Sequence, residues 1–413
     1  MIKLALHSLK EDKGRAFFYW LTFLITTIFI SSFFNLSFTK GLGFVLGKDD
    51  TSLITIDATL VTIVCMAVVF FANDFFVKRK SFEIAVDLMC GSTFKQLVIF
   101  LFVQTGIIFL LALPLGLIIG GLLTPLMNFM LANLGYKGVE IGFSSNAIII
   151  TISILLFEVG WCTLLNLGYV HRSTINTMMN GEEKLQVMHL PKMNITASKV
   201  LYILLFIVPL LLFFTIGHNP TGLLLFSIIG IFGIFGTITK VIIPGLKDLV
   251  NNKYLNDRYK MIYLGLLRED LDNIKRIIML LIFSSIIFMS ILAGSITSPV
   301  ETVISFLSFG VAIILLSLAI MFKFASEEDK RKVIFDSMIK LGYLKKDIEI
   351  IKVKEVISLY GIILAFTLLY VSAALISLLM NNLIPVNIAI IIFFVMLIPI
   401  VLVCIINIYQ YKQ

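Results

Sequence analysis

The chain has 413 residues, of which 59% are hydrophobic and 14% charged, with a formal net charge of +8. Soluble domains are about 45–50% apolar and about one quarter charged, so a soluble core of this length could not hide so much apolar side chain. The composition excludes a soluble enzyme and makes lipid the natural solvent.

A bilayer-spanning helix needs about 20 mostly apolar residues. The sequence offers ten such runs, at residues 17–38, 54–75, 97–119, 146–169, 199–216, 221–243, 277–296, 302–324, 354–380 and 385–408. The first run follows a stretch of mixed charge, is long enough to span and lacks a small-residue cleavage pattern, so no cleavable leader is expected. Segment 120–145 carries the third run past Pro125 as a semi-apolar stretch suited to the membrane interface. Of the 33 Lys and Arg residues, only Lys40, Lys48 and Lys137 fall in the alternate loops. By the bias of basic residues toward the cytoplasm, this predicts ten spans with both termini inside. The positive charge is then a topology signal, and no nucleic-acid partner is expected. Cys65, Cys90, Cys162 and Cys404 show no metal or redox spacing and read as small apolar fillers.

The inside segments repeat. At a spacing of 251 residues, Lys80 falls on Arg331, Leu88 on Ile339, Gly91 on Gly342 and Lys95 on Lys346. Residues 4–15 likewise pair with 264–276. The expected architecture is therefore an all-α integral membrane protein of about ten transmembrane helices, built as two four-helix repeats. The first occupies residues 1–169 and the second 263–413, with two joining helices in 170–262. Phe82, Ala85, Val86 and Met89 are expected to share the apolar face of a short helix, against Lys80, Glu83 and Asp87. In the second copy Ile334, Met338 and Leu341 are expected to oppose Arg331, Lys332, Asp336 and Lys340. Gly91 and Gly342 are placed to cap these helices at their C-termini.

A basic cluster, then Glu-Ile-Ala with apolar residues, then a glycine before a new helix, resembles the FtsX-like permease family of ABC transporters. The residues are Lys78, Arg79, Lys80, Glu83, Ile84, Ala85, Gly91 and Lys95, and Leu4 to Lys10 is similar to the family's opening segment. The ten-helix layout is similar to the permeases of bacitracin- and lantibiotic-resistance systems. The second copy departs from the motif with Ile334 in place of the glutamate, and the connection near 297–301 is too short for the large extracellular domain of those permeases. The resemblance implies a permease subunit in the bacterial cytoplasmic membrane. Two copies of a separate cytoplasmic ATPase would engage Lys78–Lys95 and the second-copy residues Lys330, Arg331, Lys332, Gly342 and Lys346. ATP and magnesium would belong to that partner, with no cofactor on this chain. The cargo implied is amphiphilic: an antimicrobial peptide, a hydrophobic peptide or a lipid. A further permease subunit is compatible with this layout. The alternative is a sensor that passes ATPase state to a histidine kinase or cell-wall partner without transport. A third class, the ATP-independent secondary transporter, usually shows several paired intramembrane charges.

No Walker-A pattern is present, so ATP binding by a P-loop is not expected here. His7, His171, His189 and His218 lie in separate loops, and no metal or nucleophile constellation is formed. Glu158 lies inside the fourth run, with Trp161 and Cys162 beside it; an intramembrane carboxyl marks a paired structural bond or a place on the substrate path. Asp57 is expected to be solvated or to cap the second run, and Gln104 to bond between helices. Gly116 with Gly120, and Gly230, Gly233 and Gly236, predict close helix packing. Pro114, Pro125 and Pro209 are placed to bend or end helices.

Overall fold

Every element described is helical, as the apolar runs require: in hydrocarbon each backbone amide must be satisfied within its own segment. The computed structural model describes residues 2–39, 50–133, 142, 144–172, 199–216, 220–255, 257–295, 299–326 and 328–412. Most of the loop expected at 39–53 and of segment 170–198, and the start of the connection at 297–301, lie outside the described residues.

The chain divides into two compact units, 1–195 and 196–413. The first contains α1 (Ile2–Glu11), α2 (Lys13–Ser37), α3 (Asp50–Arg79), α4 (Ser81–Met89), α5 (Phe94–Leu122), α6 (Thr124–Asn133) and α7 (Ser145–Arg172). The second contains α8 (Lys199–Ile216), α9 (Pro220–Thr237), a π-helical turn (Ile238–Ile242) and α10 (Ile243–Lys253). It continues with α11 (Arg258–Ser295), α12 (Pro299–Ser326), α13 (Glu328–Lys340), α14 (Lys345–Met380) and α15 (Val386–Lys412).

Nine of the described helices are long and apolar enough to cross a membrane. These are the dimensions and composition of a multi-pass membrane protein. The fifth of the ten expected runs forms α8, whose apolar part Lys199–Thr215 is shorter. Seventeen residues at 1.5 Å each reach about 26 Å, against a hydrocarbon thickness of about 30 Å.

In the first unit α2 packs on α3, α5 and α7, and α7 also meets α5 and α3. In the second, α11 packs on α12 and α14, and α15 meets α14 and α12. The joining pair α8 and α9 belongs to this second unit, α8 against α14 and α9 against α11. One difference lies at the entry to each bundle. The first unit breaks at Asp12 between α1 and α2, whereas α11 runs unbroken for 38 residues through both corresponding segments. Residues 264–276 hold Gly265 only near their start, while Gly14 sits beside the break in the first unit.

The glycine runs are close-packing surfaces. A Cβ on Gly116 would stand 2.6 Å from Cβ of Thr27 in α2, and one on Gly233 would stand 2.4 Å from the Leu205 carbonyl carbon in α8. Pro114 and Pro209 sit inside α5 and α8. Asp57, expected to be solvated, is buried instead; a residue near the end of a run can still face the bundle interior.

Because the Leu205 backbone cannot rotate away, Gly233→Ala should lower stability by about 1–3 kcal/mol. Gly361→Ala, with nothing within 4 Å of the new Cβ, should not. Thermal unfolding of the detergent-solubilised chain, followed by circular dichroism, distinguishes the two.

Candidate functional site

The residues singled out by the motif lie in and around two short helices outside the spans, α4 and α13. α4 follows α3, and α13 follows α12. Each ends on a glycine with positive φ, +89° at Gly91 and +90° at Gly342, the left-handed conformation a helix C-terminus commonly adopts. Gly91 N–H donates to Leu88 and Ser92 N–H to Asp87; Gly342 N–H donates to Ile339 and Tyr343 N–H to Met338. The next helix then starts on a side-chain acceptor. Gln96 Oε1 takes the Thr93 N–H at 2.9 Å, and Asp347 Oδ2 takes the Leu344 N–H at 3.2 Å.

The orientation of these helices corrects the amphipathic reading. Lys80 and Arg331, expected on the polar outer faces, are 1% and 4% exposed. Phe82 and Met89, expected to share one apolar face with Ala85, are 57% and 53% exposed, and Leu341, expected to share one with Met338, is 73% exposed. Ile334 also points outward, with Val333 beside it. The packed face of α4 is Ile84 and Ala85, set against Ala5, Leu97 and Phe100. That of α13 is Phe335 and Met338, set against Leu266, Ile348 and Ile351. Helical periodicity assigns an apolar stripe, but a long cationic side chain beside an acceptor cluster can override it.

The acceptors form that cluster. In the first unit the Lys80 ammonium donates to Ser8 Oγ and lies 3.2 Å from Glu83 Oε2 and 3.4 Å from Asp12 Oδ2. Ser8 Oγ donates onward to Glu83 Oε2 at 2.8 Å, and accepts from Gln104 Nε2 at 3.2 Å. Gln104 also donates to the Ala5 carbonyl, the interhelical bond expected of it. The Phe76 ring lies 5.7 Å beneath the ammonium, a cation–π distance. One cation thus ties α4 to α1 directly and to α5 through Ser8.

In the second unit the Arg331 guanidinium pairs with Asp270 of α11 through Nη2, and with Glu355 of α14 through Nη1 at 2.6 Å. The Phe324 ring lies 4.4 Å from it. At the same spacing of 251 residues, Ile84 corresponds to Phe335, Leu97 to Ile348, Phe100 to Ile351 and Gln104 to Glu355. Ser8, Asp12, Asp270 and Glu355 were not singled out by the motif. The signal for Glu355 was present: a carboxylate inside an apolar run, 251 residues after a buried amide.

The remaining motif residues scatter. Lys78 is half-buried and pairs with Asp74 at 3.1 Å, and Ile84 is core. Lys95, Lys332 and Lys346 are exposed. The side chains of Arg79 and Lys330 lie outside the described residues. Glu158 is far along the bundle, fully buried in α7. Trp161, expected beside it, points away and stacks on Phe157 at an exposed surface.

A groove of about 290 Å³ opens between α1 and α4, lined by Leu4, His7, Glu11, Phe82, Val86 and Asp87 among others. Its rim is acidic. Partial burial, and then the charge of Glu83, raise the Asp87 carboxyl above its ordinary value. Among the described residues no three metal-ligating side chains come together.

The chain matches no family model, and no curated protein matches it.

Removing one partner of a buried ion pair leaves an uncompensated charge, at about 3–5 kcal/mol. Arg331→Met should therefore destabilise the chain by about that much, and adding Asp270→Leu and Glu355→Leu should restore most of it. Lys332→Met and Lys346→Met should stay within about 0.5 kcal/mol. Denaturant titrations in detergent test the series. A carboxyl raised by folding means the folded state binds more protons than the unfolded one. Its penalty is absent in acid and sets in as pH rises through and above the ordinary carboxylate range. Asp87→Asn should accordingly raise the thermal midpoint at neutral pH and leave it unchanged in acid.

Proposed function

We propose that the chain is the transmembrane permease subunit of an ATP-driven exporter. In this reading it is an FtsX-like permease of the bacterial cytoplasmic membrane, with ten spans, both termini cytoplasmic and two four-helix repeats joined by α8 and α9. A separate ATPase, in two copies, docks on α4 and α13 and carries the ATP and magnesium. The chain itself catalyses nothing. It exports or clears from the membrane an amphiphilic substrate, such as an antimicrobial peptide, a hydrophobic peptide or a lipid.

One observation carries this reading. Each unit holds a short helix outside the spans by a buried cation from behind, while turning large apolar side chains outward. Exposed apolar side chains grouped outside the lipid mark a surface that another protein covers. The same cation joins the short helix to the segment before the first span and to the third span. A push on α4 therefore reaches α1 and α5, and a push on α13 reaches α11 and α14. That is the linkage an ATPase needs in order to drive a permease from the membrane surface.

The roles within the motif divide accordingly. Phe82 and Met89, with Val333, Ile334 and Leu341, make the docking contact, supported by Lys95, Lys332 and Lys346 at the rim. Lys80 and Arg331 transmit, and Gly91 and Gly342 set the turn into the next span.

Co-expression with a candidate ABC ATPase tests the reading. Phe82→Asp with Met89→Asp should abolish co-purification of the ATPase and peptide-stimulated ATP hydrolysis, while the thermal midpoint of the chain stays unchanged. Co-purification and stimulated hydrolysis at the wild-type level would overturn docking at α4.

A further inference from the structure

The interior of the first unit holds a carboxyl group for which ATPase docking has no use. Glu158 is 0% exposed, and neither of its oxygens has a hydrogen-bond or ion-pair partner among the described residues. Three helices pack on α7 around it. From α2 the facing group is Tyr19, from α3 it is Cys65, and on α7 itself Cys162 lies one turn on, each close enough to interact with it electrostatically. The third neighbour, α5, has a single titratable residue, Lys95, which is exposed in its first turn.

A polar column leads away from this group. Glu158, Cys162 and Asn166 follow at intervals of four and share one face of α7. Asn166 Oδ1 accepts from Asn73 Nδ2 at 2.7 Å, and Asn73 Oδ1 accepts from the Tyr19 hydroxyl at 2.9 Å. The Asn166 amide nitrogen is itself buried without a hydrogen-bond partner among the described residues. Tyr19 stacks on Phe76 at 4.9 Å, the ring that lies beneath Lys80. The column thus runs from Glu158 toward the end of the unit that carries α4. The second unit has no counterpart, since the residue 251 positions on is Tyr409, which is 64% exposed.

An ionised carboxylate among apolar helices, with neither cation nor donor, is strongly disfavoured. A metal cation would need several oxygen ligands, and no such group exists among the described residues. The one ligand that neutralises the group without a cage is a proton. We propose that Glu158 is an intramembrane proton-binding site, reached through Tyr19, Asn73 and Asn166 from the end of the unit that carries Lys80. Proton uptake and release are then linked to the packing of α2, α3 and α7, so that a change in this unit carries a proton with it. The site stands whether or not an ATPase docks on α4.

The test is infrared spectroscopy of the full chain in phosphatidylcholine vesicles across a pH series. A carbonyl-stretch band of a protonated carboxylic acid should persist at neutral pH, vanish in alkali and be missing in Glu158→Gln. In Tyr19→Phe the band should remain while deuterium exchange into it slows several-fold. Identical spectra for wild type and Glu158→Gln at every pH would overturn the site, and unaltered exchange in Tyr19→Phe would overturn the route. If Glu158→Gln fails to fold, the wild-type chain is treated with dicyclohexylcarbodiimide, which attacks protonated carboxyls in apolar surroundings. Modification mapped to Glu158 at neutral pH and fading in alkali supports the site, and its absence at every pH overturns it.

Discussion

A cation taken out of water costs several kcal/mol unless its charge and donors are met, and both Lys80 and Arg331 are withdrawn almost completely. Each must therefore be surrounded by acceptors, and the acceptors come from different helices. This requirement joins α4 to α1, and through Ser8 to α5, and joins α13 to α11 and α14. It also leaves the opposite face of the short helix, with its large apolar side chains, turned outward. The two units meet the requirement differently. An ammonium is a point charge that gathers a hydroxyl and nearby carboxylates, whereas a guanidinium presents a planar fork that two carboxylates can share. Ser8, Asp12 and Glu83 accordingly surround Lys80, while Asp270 and Glu355 face Arg331.

Within the spans the forces are of another kind. Lipid is as apolar as leucine, so burial by itself does not drive helices together there. Small residues admit close approach, as where Gly116 and Gly120 meet Thr27 and Ser31, and where Gly230 admits the ring of Tyr370. Polar bonds then fix the register. Tyr370 donates to the Phe206 carbonyl at 2.6 Å, Ser377 donates to that of Phe213, and Asn407 donates to the Tyr360 hydroxyl at 2.6 Å. The first unit has its own set in Tyr19, Asn73 and Asn166, to which it adds Glu158, unpaired among the described residues.

In both units a left-handed glycine and a capped helix start follow the short helix at once. The groove between α1 and α4 adds a local acidic rim that α13 does not share, since its exposed neighbours include Lys332, Lys340, Lys345 and Lys346. The two short helices are thus alike in backbone and unlike in charge.

Much of this architecture is written in local sequence. Apolar run length sets the helices, because hydrocarbon thickness and helical rise leave no other spanning length. Gly91 and Gly342 mark the helix ends because a left-handed residue is cheapest without a Cβ, and the glycine pairs mark close contacts because only a missing side chain admits a neighbouring backbone. Three matters were decided by tertiary structure. Which way α4 and α13 turn depends on acceptors brought from α1, α5, α11 and α14, far away in sequence, and periodicity along nine or thirteen residues contains nothing of them. Asp57 is buried because of the bundle around it, and its place near a run's end carries no such information. Glu158 was visible as a charge among apolar residues, but its lack of a partner and its column of Tyr19, Asn73 and Asn166 exist only once α2, α3 and α7 are packed side by side.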